Sequence, residues 1–195
     1  MCHSRGIRQG LPAGVCAGVC AGVGATLTMD ASMVLASRLA PAVFATEKVD
    51  VNLIGRWVAG LGRGRRRGDD ITAAPMVRGE VALGLATHYV TGIALTETYL
   101  MALRRLNLRP GPVKATAFGL ATAVLPLVVM FPSMGYGCCA QHSGDARRVR
   151  SIMLLGHTAF GAGIGLWTAT RPEVGPGLCG KVSLRSAPAA LSPEA

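Results

Sequence analysis

Apolar residues are gathered into four long stretches, and the shorter segments between them carry most of the charged side chains. The stretches cover about residues 11–39, 81–103, 115–131 and 151–170. A helix needs about 20 apolar residues to cross the hydrocarbon core of a bilayer, and about 17 is the lower limit. The pattern therefore predicts an all-α, polytopic membrane protein with four transmembrane helices, of which the third is the shortest and is kinked at Pro126.

The segment between the first two apolar stretches is the longest polar part of the chain. Within it, residues 51–61 mix apolar side chains with Arg56 and Trp57, as a helix lying in the membrane interface does. We expect the arginine-rich residues 60–70 to form a solvated loop. Residues 1–171 then make a single membrane domain, and residues 172–195, rich in Pro, Ser, Ala and Gly, are expected to be a disordered tail.

A cleaved signal peptide is the rival interpretation of the first apolar stretch. Arg5 and Arg8 precede the stretch, and residues 40–42 resemble a cleavage site. The apolar part of a signal peptide has about 7–15 residues, and this stretch is nearly twice as long. We therefore expect it to remain in the membrane as an uncleaved span.

The composition supports the membrane prediction and bears on partners. Hydrophobic residues make up 50% of the chain and charged residues only 15%, whereas soluble domains carry about 25% charge. A net charge of +10 would suggest nucleic acid in a soluble protein. Here the basic residues flank apolar stretches and are not interleaved with aromatic ones, so we expect no nucleic-acid partner. We expect the Arg-rich loops to contact the bilayer at anionic lipid headgroups.

The numbers of basic residues on the two sides of the membrane are nearly equal, so they favour one orientation only slightly. If the four spans alternate, one side holds 9 basic residues and the other holds 11. The small excess places the loops after the first and third spans in the cytoplasm. We expect residues 60–70 and 137–148, which belong to these two loops, to lie on the same side.

Three ionisable side chains within the apolar stretches are the candidates for a functional site. A charged group at the bilayer centre costs at least about 2.5–3.5 kcal/mol, so such residues are rarely accidental. Asp30, His88 and His157 each lie in a row of glycines or other small residues spaced four apart. Such rows let helices approach closely, so we predict that all three side chains point into the bundle. Glu97 is expected on the helix face opposite His88, apart from the cluster.

The cluster has two chemical interpretations that the sequence leaves open. Two histidines and a carboxylate can relay protons or bind a cation, and they can equally serve as interhelical hydrogen bonds. No metal-ligand spacing and no motif of a hydrolase or a phosphate-binding loop occurs in the chain. We therefore expect no metal, no cofactor, no catalytic residue and no enzymatic activity.

Several short motifs occur together in a fixed order and support a family resemblance. They are GVGATLTMD at 22–30, LIGRW at 53–57, GE at 79–80, HY at 88–89, PSMGYG at 132–137, RS at 150–151, His157, and FGAG at 160–163. With this order and spacing, the chain resembles the bacterial integral membrane family catalogued as domain of unknown function 2938. The resemblance implies a small multi-pass protein of the bacterial inner (cell) membrane, and it implies no particular activity.

Two functional hypotheses follow from these observations. The first is a small ion- or solute-coupled, transporter-like protein that uses Asp30, His88 and His157. The alternative is a non-catalytic structural or partner-binding subunit, whose glycine-rich helix faces would serve a homo-oligomer. Convergence of the three side chains on a water-accessible cavity would favour the first hypothesis, and convergence in a sealed core would favour the second.

Overall fold

The computed structural model describes residues 10–44, 50–64 and 68–170, and in those ranges it contains helices and loops but no β-strand. The α-helices are α1 (Gly10–Leu39), α2 (Val51–Leu61), α3 (Glu80–Arg105), α4 (Pro112–Thr122), α5 (Phe131–Ser133) and α6 (Ala146–Thr170). A π-helical segment, Leu125–Met130, joins α4 to α5, and a 3₁₀ turn, Cys138–Ala140, precedes α6. The all-α prediction is confirmed for these residues. The expected tail at 172–195 and the arginines at 65–67 lie outside them.

Three helical stretches are long and apolar enough to cross a membrane. They are Ala17–Leu39 on α1, Pro112–Ser133, which runs from α4 to α5, and Ala146–Thr170 on α6. We call the second of these the kinked span. The sequence pattern predicted four such stretches, and the prediction is corrected at α3. With 26 residues α3 is long enough, but His88, Glu97 and several threonines make it less apolar.

The kinked span changes its helical geometry at Pro126. Proline has no N–H and cannot donate to the carbonyl four residues earlier, so an α-helix is interrupted there. The N–H of Phe131 instead donates to the carbonyl of Pro126, five residues back, which is the π-helical pattern. The interruption lies where the sequence predicted a kink.

The long helices run antiparallel to their neighbours, in the order α3, α1, α6 and kinked span. Glycines set the close approach between them. A β-carbon added at Gly22 of α1 would lie only 2.6 Å from Cα of Ile93 on α3. One added at Gly163 of α6 would lie 2.9 Å from Cα of Ala25 on α1. These small-residue rows are therefore helix contacts within one chain.

The outer surface of the bundle is apolar, as a lipid-facing surface would be. Large exposed side chains include Leu27, Leu35, Val90, Val129 and Leu166. A homo-oligomer stays a prediction. The glycine faces suggested for it are occupied by neighbouring helices of the same chain in the described residues, so an oligomer would use other surfaces.

Helix α2 has the bounds that the sequence predicted and packs across the first turns of α3. Its contact with α3 is tight because a β-carbon at Gly55 would collide with the carbonyl of Glu80. A β-carbon at Gly84 would collide with the carbonyl of Val51. The location of α2 in the membrane interface stays a prediction.

The loop before α3 and the loop after the kinked span meet at one end of the bundle. The N–H of Ile71 donates to the carbonyl of Met134 at 3.0 Å, and the N–H of Gly68 donates to Ser133 at 3.4 Å. Arg148 at the start of α6 also donates to the carbonyl of Pro41. The two loops are therefore in contact, and their membrane side stays a prediction.

Candidate functional site

Asp30 lies on the face of α1 that packs against α3. It is nine residues from Leu39, so its Cα is about 14 Å from the end of the helix. Its Oδ1 is 2.9 Å from Nε2 of His88, and its Oδ2 accepts a hydrogen bond of 3.0 Å from the hydroxyl of Tyr89. An ionised carboxylate only accepts hydrogen bonds, so Nε2 of His88 carries the proton in this contact. The small-residue rows therefore bring Asp30 and His88 into direct contact.

His157 lies on α6 and contacts the kinked span. Its Nδ1 is 2.9 Å from Oγ1 of Thr122, and the same hydroxyl donates to the carbonyl of Gly119 at 2.6 Å. A hydroxyl has one proton, so Nδ1 of His157 must be the donor in the first bond. In the neutral ring Nε2 is then an acceptor, and it has no hydrogen-bond partner among the described residues.

A cavity of about 290 Å³ brings the three predicted residues together, because Asp30, His88 and His157 all line it. His157 shares the cavity with the Asp30–His88 pair without bonding to it. The rest of the wall is mostly apolar and includes Met29, Met33, Val51, Ile54, Trp57, Leu125, Pro126, Val129, Met130, Met153 and Phe160. The wall therefore takes residues from α1, α2, α3, α6 and the π-helical segment.

The site offers few ligands for a metal ion. Asp30 and His88 are two donors in contact. Throughout residues 10–44, 50–64 and 68–170, no three His, Cys, Asp or Glu side chains are placed to hold a metal ion together. What the arrangement can do chemically is exchange a proton between an imidazole and a carboxylate, and accept hydrogen bonds from a solute.

Comparison with known families identifies the family of the chain. The sequence profile of the family described as "Protein of unknown function (DUF2938)" matches residues 19–171. The chain is a DUF2938 protein. The match covers the cavity residues and nearly the whole described region, in agreement with the motif resemblance. No curated protein and no solved structure matches the chain.

A buried ion pair in this DUF2938 protein was not foreseen from the sequence. Arg56 of α2 donates to both carboxylate oxygens of Glu80, at 2.9 and 2.8 Å, and to the carbonyl of Ala74 at 3.2 Å. The N–H of Val77 also donates to Glu80. These hydrogen bonds, from Arg56 first, lower the pKa of Glu80 to about 2, although burial acts in the opposite direction. The pair ties α2 to α3 beside the cavity.

The expected position of Glu97 is corrected by the structure. The carboxyl group of Glu97 packs against Gly18 of α1, so it faces the same helix as Tyr89. The face of α3 that contacts α1 includes more residues than the row through His88. For this reason, the rotation around the helix axis between His88 and Glu97 predicted the wrong face for Glu97. Glu97 packs at the level of Gly18, which is about 18 Å along α1 from Asp30, since the two α1 residues are twelve positions apart. Glu97 is therefore separate from the cavity, although not on the opposite face.

Two residues of the DUF2938 site were missed by the sequence reasoning. Tyr89 follows His88 directly, and its aromatic–polar character was the available signal for a second partner of Asp30. Thr122 carries no such signal, because threonines are frequent in these helices and most bond to their own backbone. Its role depends on the register between the kinked span and α6.

Proposed function

We propose that this protein is a four-span protein of the bacterial cell membrane that binds a small solute in its cavity. Binding would be coupled to a proton on the Asp30–His88 pair, so that the protein is transporter-like. The proposal includes no catalytic reaction. The observation that carries it is the convergence of Asp30, His88 and His157 from three helices on one cavity.

The contact between two loops supports α3 as a fourth span. If α1, the kinked span and α6 crossed the membrane and α3 did not, the loops containing Ile71 and Met134 would face opposite sides. These residues are joined by a backbone hydrogen bond of 3.0 Å. A crossing by α3 places both loops on one side and removes the conflict.

The polar groups of α3 are largely satisfied within the bundle, and this lowers the cost of placing the helix in lipid. Thr87 and Thr98 donate to backbone carbonyls of their own helix, at 2.8 Å in each case. His88 is bonded to Asp30. Polar groups that find partners inside a bundle are compatible with a membrane span.

The size and chemistry of the cavity fit a small solute. Pockets for small molecules usually measure about 300–1,000 Å³ and combine an apolar wall with a few polar groups. The cavity, at about 290 Å³, is just below the lower limit of this range, so it fits a small solute only. The contact between His88 and Asp30 provides a pair of groups that can exchange a proton when a solute binds.

We also propose that the loop end of the bundle contacts anionic lipid headgroups on the cytoplasmic side. Arg63, Arg78, Arg147 and Arg150 are exposed at that end. Arginines next to a membrane span are attracted to anionic lipids by about 1 kcal/mol each. Vesicle flotation tests this proposal with peptides that have the sequences of the two loops. The peptides are expected to float with vesicles that contain phosphatidylglycerol and not with vesicles that lack it.

A screen of solute binding and uptake tests the main proposal. The purified protein is placed in liposomes, and small solutes are tested for binding and for uptake driven by a proton gradient. Hits are expected to be lost in the His88→Ala variant and kept in Glu97→Gln, which removes a carboxylate outside the cavity. A protein that binds and transports nothing in an His88-dependent way would be the structural subunit of the alternative hypothesis.

A further inference from the structure

Most of the polar atoms that line the cavity are acceptors of hydrogen bonds, and the hydroxyl of Thr91 can also donate one. Each carboxylate oxygen of Asp30 accepts one bond and retains a further lone pair. His157 is nine-tenths buried, and its Nε2 has no partner in the region that the structure covers. The hydroxyl of Thr26 donates its proton to Gly22. The Nε1–H of Trp57 is a donor, but that atom is buried away from open space.

The apolar wall suits a cation that carries an apolar body. Trp57 and Phe160 present aromatic rings to the cavity, and an ammonium group over such a ring gains about 0.5–2 kcal/mol. Four methionines, Met29, Met33, Met130 and Met153, complete much of the wall. Methionine is flexible and adapts to differently shaped apolar groups.

The cavity opens on the side of the bundle. α3 and the kinked span meet through Tyr99 and Phe118, whose ring centroids are 5.0 Å apart near the connecting loop. Farther from the connecting loop, the cavity lies between α3 and the kinked span. Thr91 on α3, and Leu125 and Val129 on the kinked span, line it and are exposed on the outer surface. In a four-span arrangement this surface faces lipid.

We propose, on the basis of the proposed function, that the solute is a monovalent organic cation, namely the protonated form of an apolar amine. Its ammonium group donates hydrogen bonds to Asp30 and to Nε2 of His157. Its apolar part contacts Trp57, Phe160 and the methionines. The amine reaches the site from the bilayer, through the gap between α3 and the kinked span.

Binding of the cation displaces a proton from His88. With His88 protonated, the Asp30–His88 pair is neutral, and an ammonium ion beside it would meet a like charge. With His88 neutral, the carboxylate is free to pair with the ammonium ion, and the proton has passed to water. The titratable groups facing this site are Asp30, His88, Tyr89 and His157; the described parts of α2 and the kinked span add none to the cavity wall.

Calorimetry with three matched probes tests the inference. The full-length protein in nanodiscs is titrated with benzylammonium, benzyl alcohol and benzoate, and heats from empty nanodiscs are subtracted. The ammonium probe is expected to bind at least about tenfold more tightly than benzyl alcohol, and benzoate is expected not to bind. The heat of binding of the ammonium probe is expected to differ between buffers of different ionisation enthalpy, because a proton leaves the Asp30–His88 pair when the cation binds.

Variants separate this inference from the proposed function. Asp30→Asn is expected to remove the preference for the ammonium probe, and Glu97→Gln is expected to keep it. If Asp30→Asn does not fold, His157→Phe removes the second acceptor and is expected to weaken ammonium binding. Equal binding of benzyl alcohol and the ammonium probe, or no binding of the ammonium probe, overturns the inference. The solute-binding proposal is overturned only if the liposome screen finds no His88-dependent solute.

Discussion

Asp30 shows how a carboxylate is held inside an apolar bundle. Placing a charged group at the centre of a membrane costs about 2.5–3.5 kcal/mol on insertion scales. A hydrogen bond to a charged group contributes about 1.5–3 kcal/mol, and Asp30 makes two, with His88 and Tyr89. The two effects are of similar size. The carboxylate can therefore remain at this depth.

Arg56 and Glu80 form a second polar contact, at the end of the bundle where α2 crosses α3. Their side chains are each 9% exposed, and the guanidinium group binds the carboxylate through two nitrogens. The carboxylate raises the pKa of Arg56, so the arginine stays charged. A charge removed from one partner would leave the other buried and unpaired, which is costly. The pair therefore links the stability of the α2–α3 contact to pH.

The first prediction is that the stability contributed by the Arg56–Glu80 pair is lost at low pH. The pKa of Glu80 is about 2 in the folded protein, below the value of about 4.3 expected for an unfolded chain. Its stabilising contribution is thus complete above about pH 4.3 and is lost as the pH falls towards 2. We expect the melting temperature of the wild type to exceed that of Glu80→Gln at pH 7 and at pH 5. The difference should shrink between about pH 4.3 and pH 2.

Thermal melts in detergent at several pH values measure this difference. Glu97→Gln serves as the control, since it neutralises a carboxylate that Arg56 does not contact. A difference between wild type and Glu80→Gln that stays constant down to pH 2 would contradict the prediction.

Unusual side chains were easier to recognise in the sequence than the pairs of side chains that contact each other. The row through Gly22, Thr26 and Asp30 correctly marked the face of α1 that packs on α3. The partners of Asp30 lie almost 60 residues away, and Arg56 and Glu80 are separated by 24 residues. Such pairings depend on the register between helices. Spacing along one helix does not contain that register, so Tyr89, Thr122 and the Arg56–Glu80 pair were missed.

At the scale of the helices, glycines at the crossings determine how closely neighbours approach. Among the helix crossings that the structure describes, that of α2 and α3 is the tightest in backbone terms, because β-carbons added at Gly55 and Gly84 would come closest to carbonyl groups of the opposite helix. A backbone carbonyl cannot move aside as a flexible side chain does. An added methyl group at either glycine must therefore push the two helices apart.

The second prediction is that Gly55→Ala destabilises the α2–α3 contact. Overpacking of this kind costs about 1–3 kcal/mol, which exceeds the gain of about 1 kcal/mol from replacing glycine by alanine in a helix. Gly62→Ala, at the end of the same helix, is the matched control, because its new β-carbon would lie 3.7 Å from the carbonyl oxygen of Ala59, at an ordinary contact distance. We expect a lower melting temperature and altered Trp57 fluorescence for Gly55→Ala only, measured in a Trp167→Phe background. Equal melting temperatures for the two variants would show that the crossing is looser than described.

The helices themselves were predictable to the extent that local pattern decides them. The bounds of α2 agree with the mixed apolar and polar pattern, and α1 ends at Leu39 as the apolar stretch does. α6 begins at Ala146, five residues earlier than the apolar stretch, because polar residues can extend a helix beyond the membrane. The π-helical segment has a clear local cause in Pro126. Its use as a cavity wall follows from the packing of other helices and has no local signal.

At the scale of the whole molecule, the helices form an open row that curves around the cavity. α1 and α6 lie in the middle, and α3 and the kinked span form the two outer elements. The outer elements meet near their connecting loop and are separated by the cavity farther along. α2 covers this region with Val51, Ile54 and Trp57. Movement of α2 or of the kinked span would therefore change access to Asp30 and His88.

The third prediction is that the chain crosses the membrane four times, with the loops before α3 and after the kinked span on one side. Single cysteines are introduced at Ala73, Gly144 and Gly111 in a background that lacks the six native cysteines. Both Gly144 and Gly111 have open space around them. A membrane-impermeant maleimide applied to oriented vesicles is expected to label Ala73→Cys and Gly144→Cys from one side and Gly111→Cys from the other. Labelling of Ala73→Cys and Gly111→Cys from the same side would mean that α3 does not cross. The hydrogen bond between Ile71 and Met134 argues against that outcome, because it would require two bonded residues to lie on opposite faces of a bilayer about 30 Å thick.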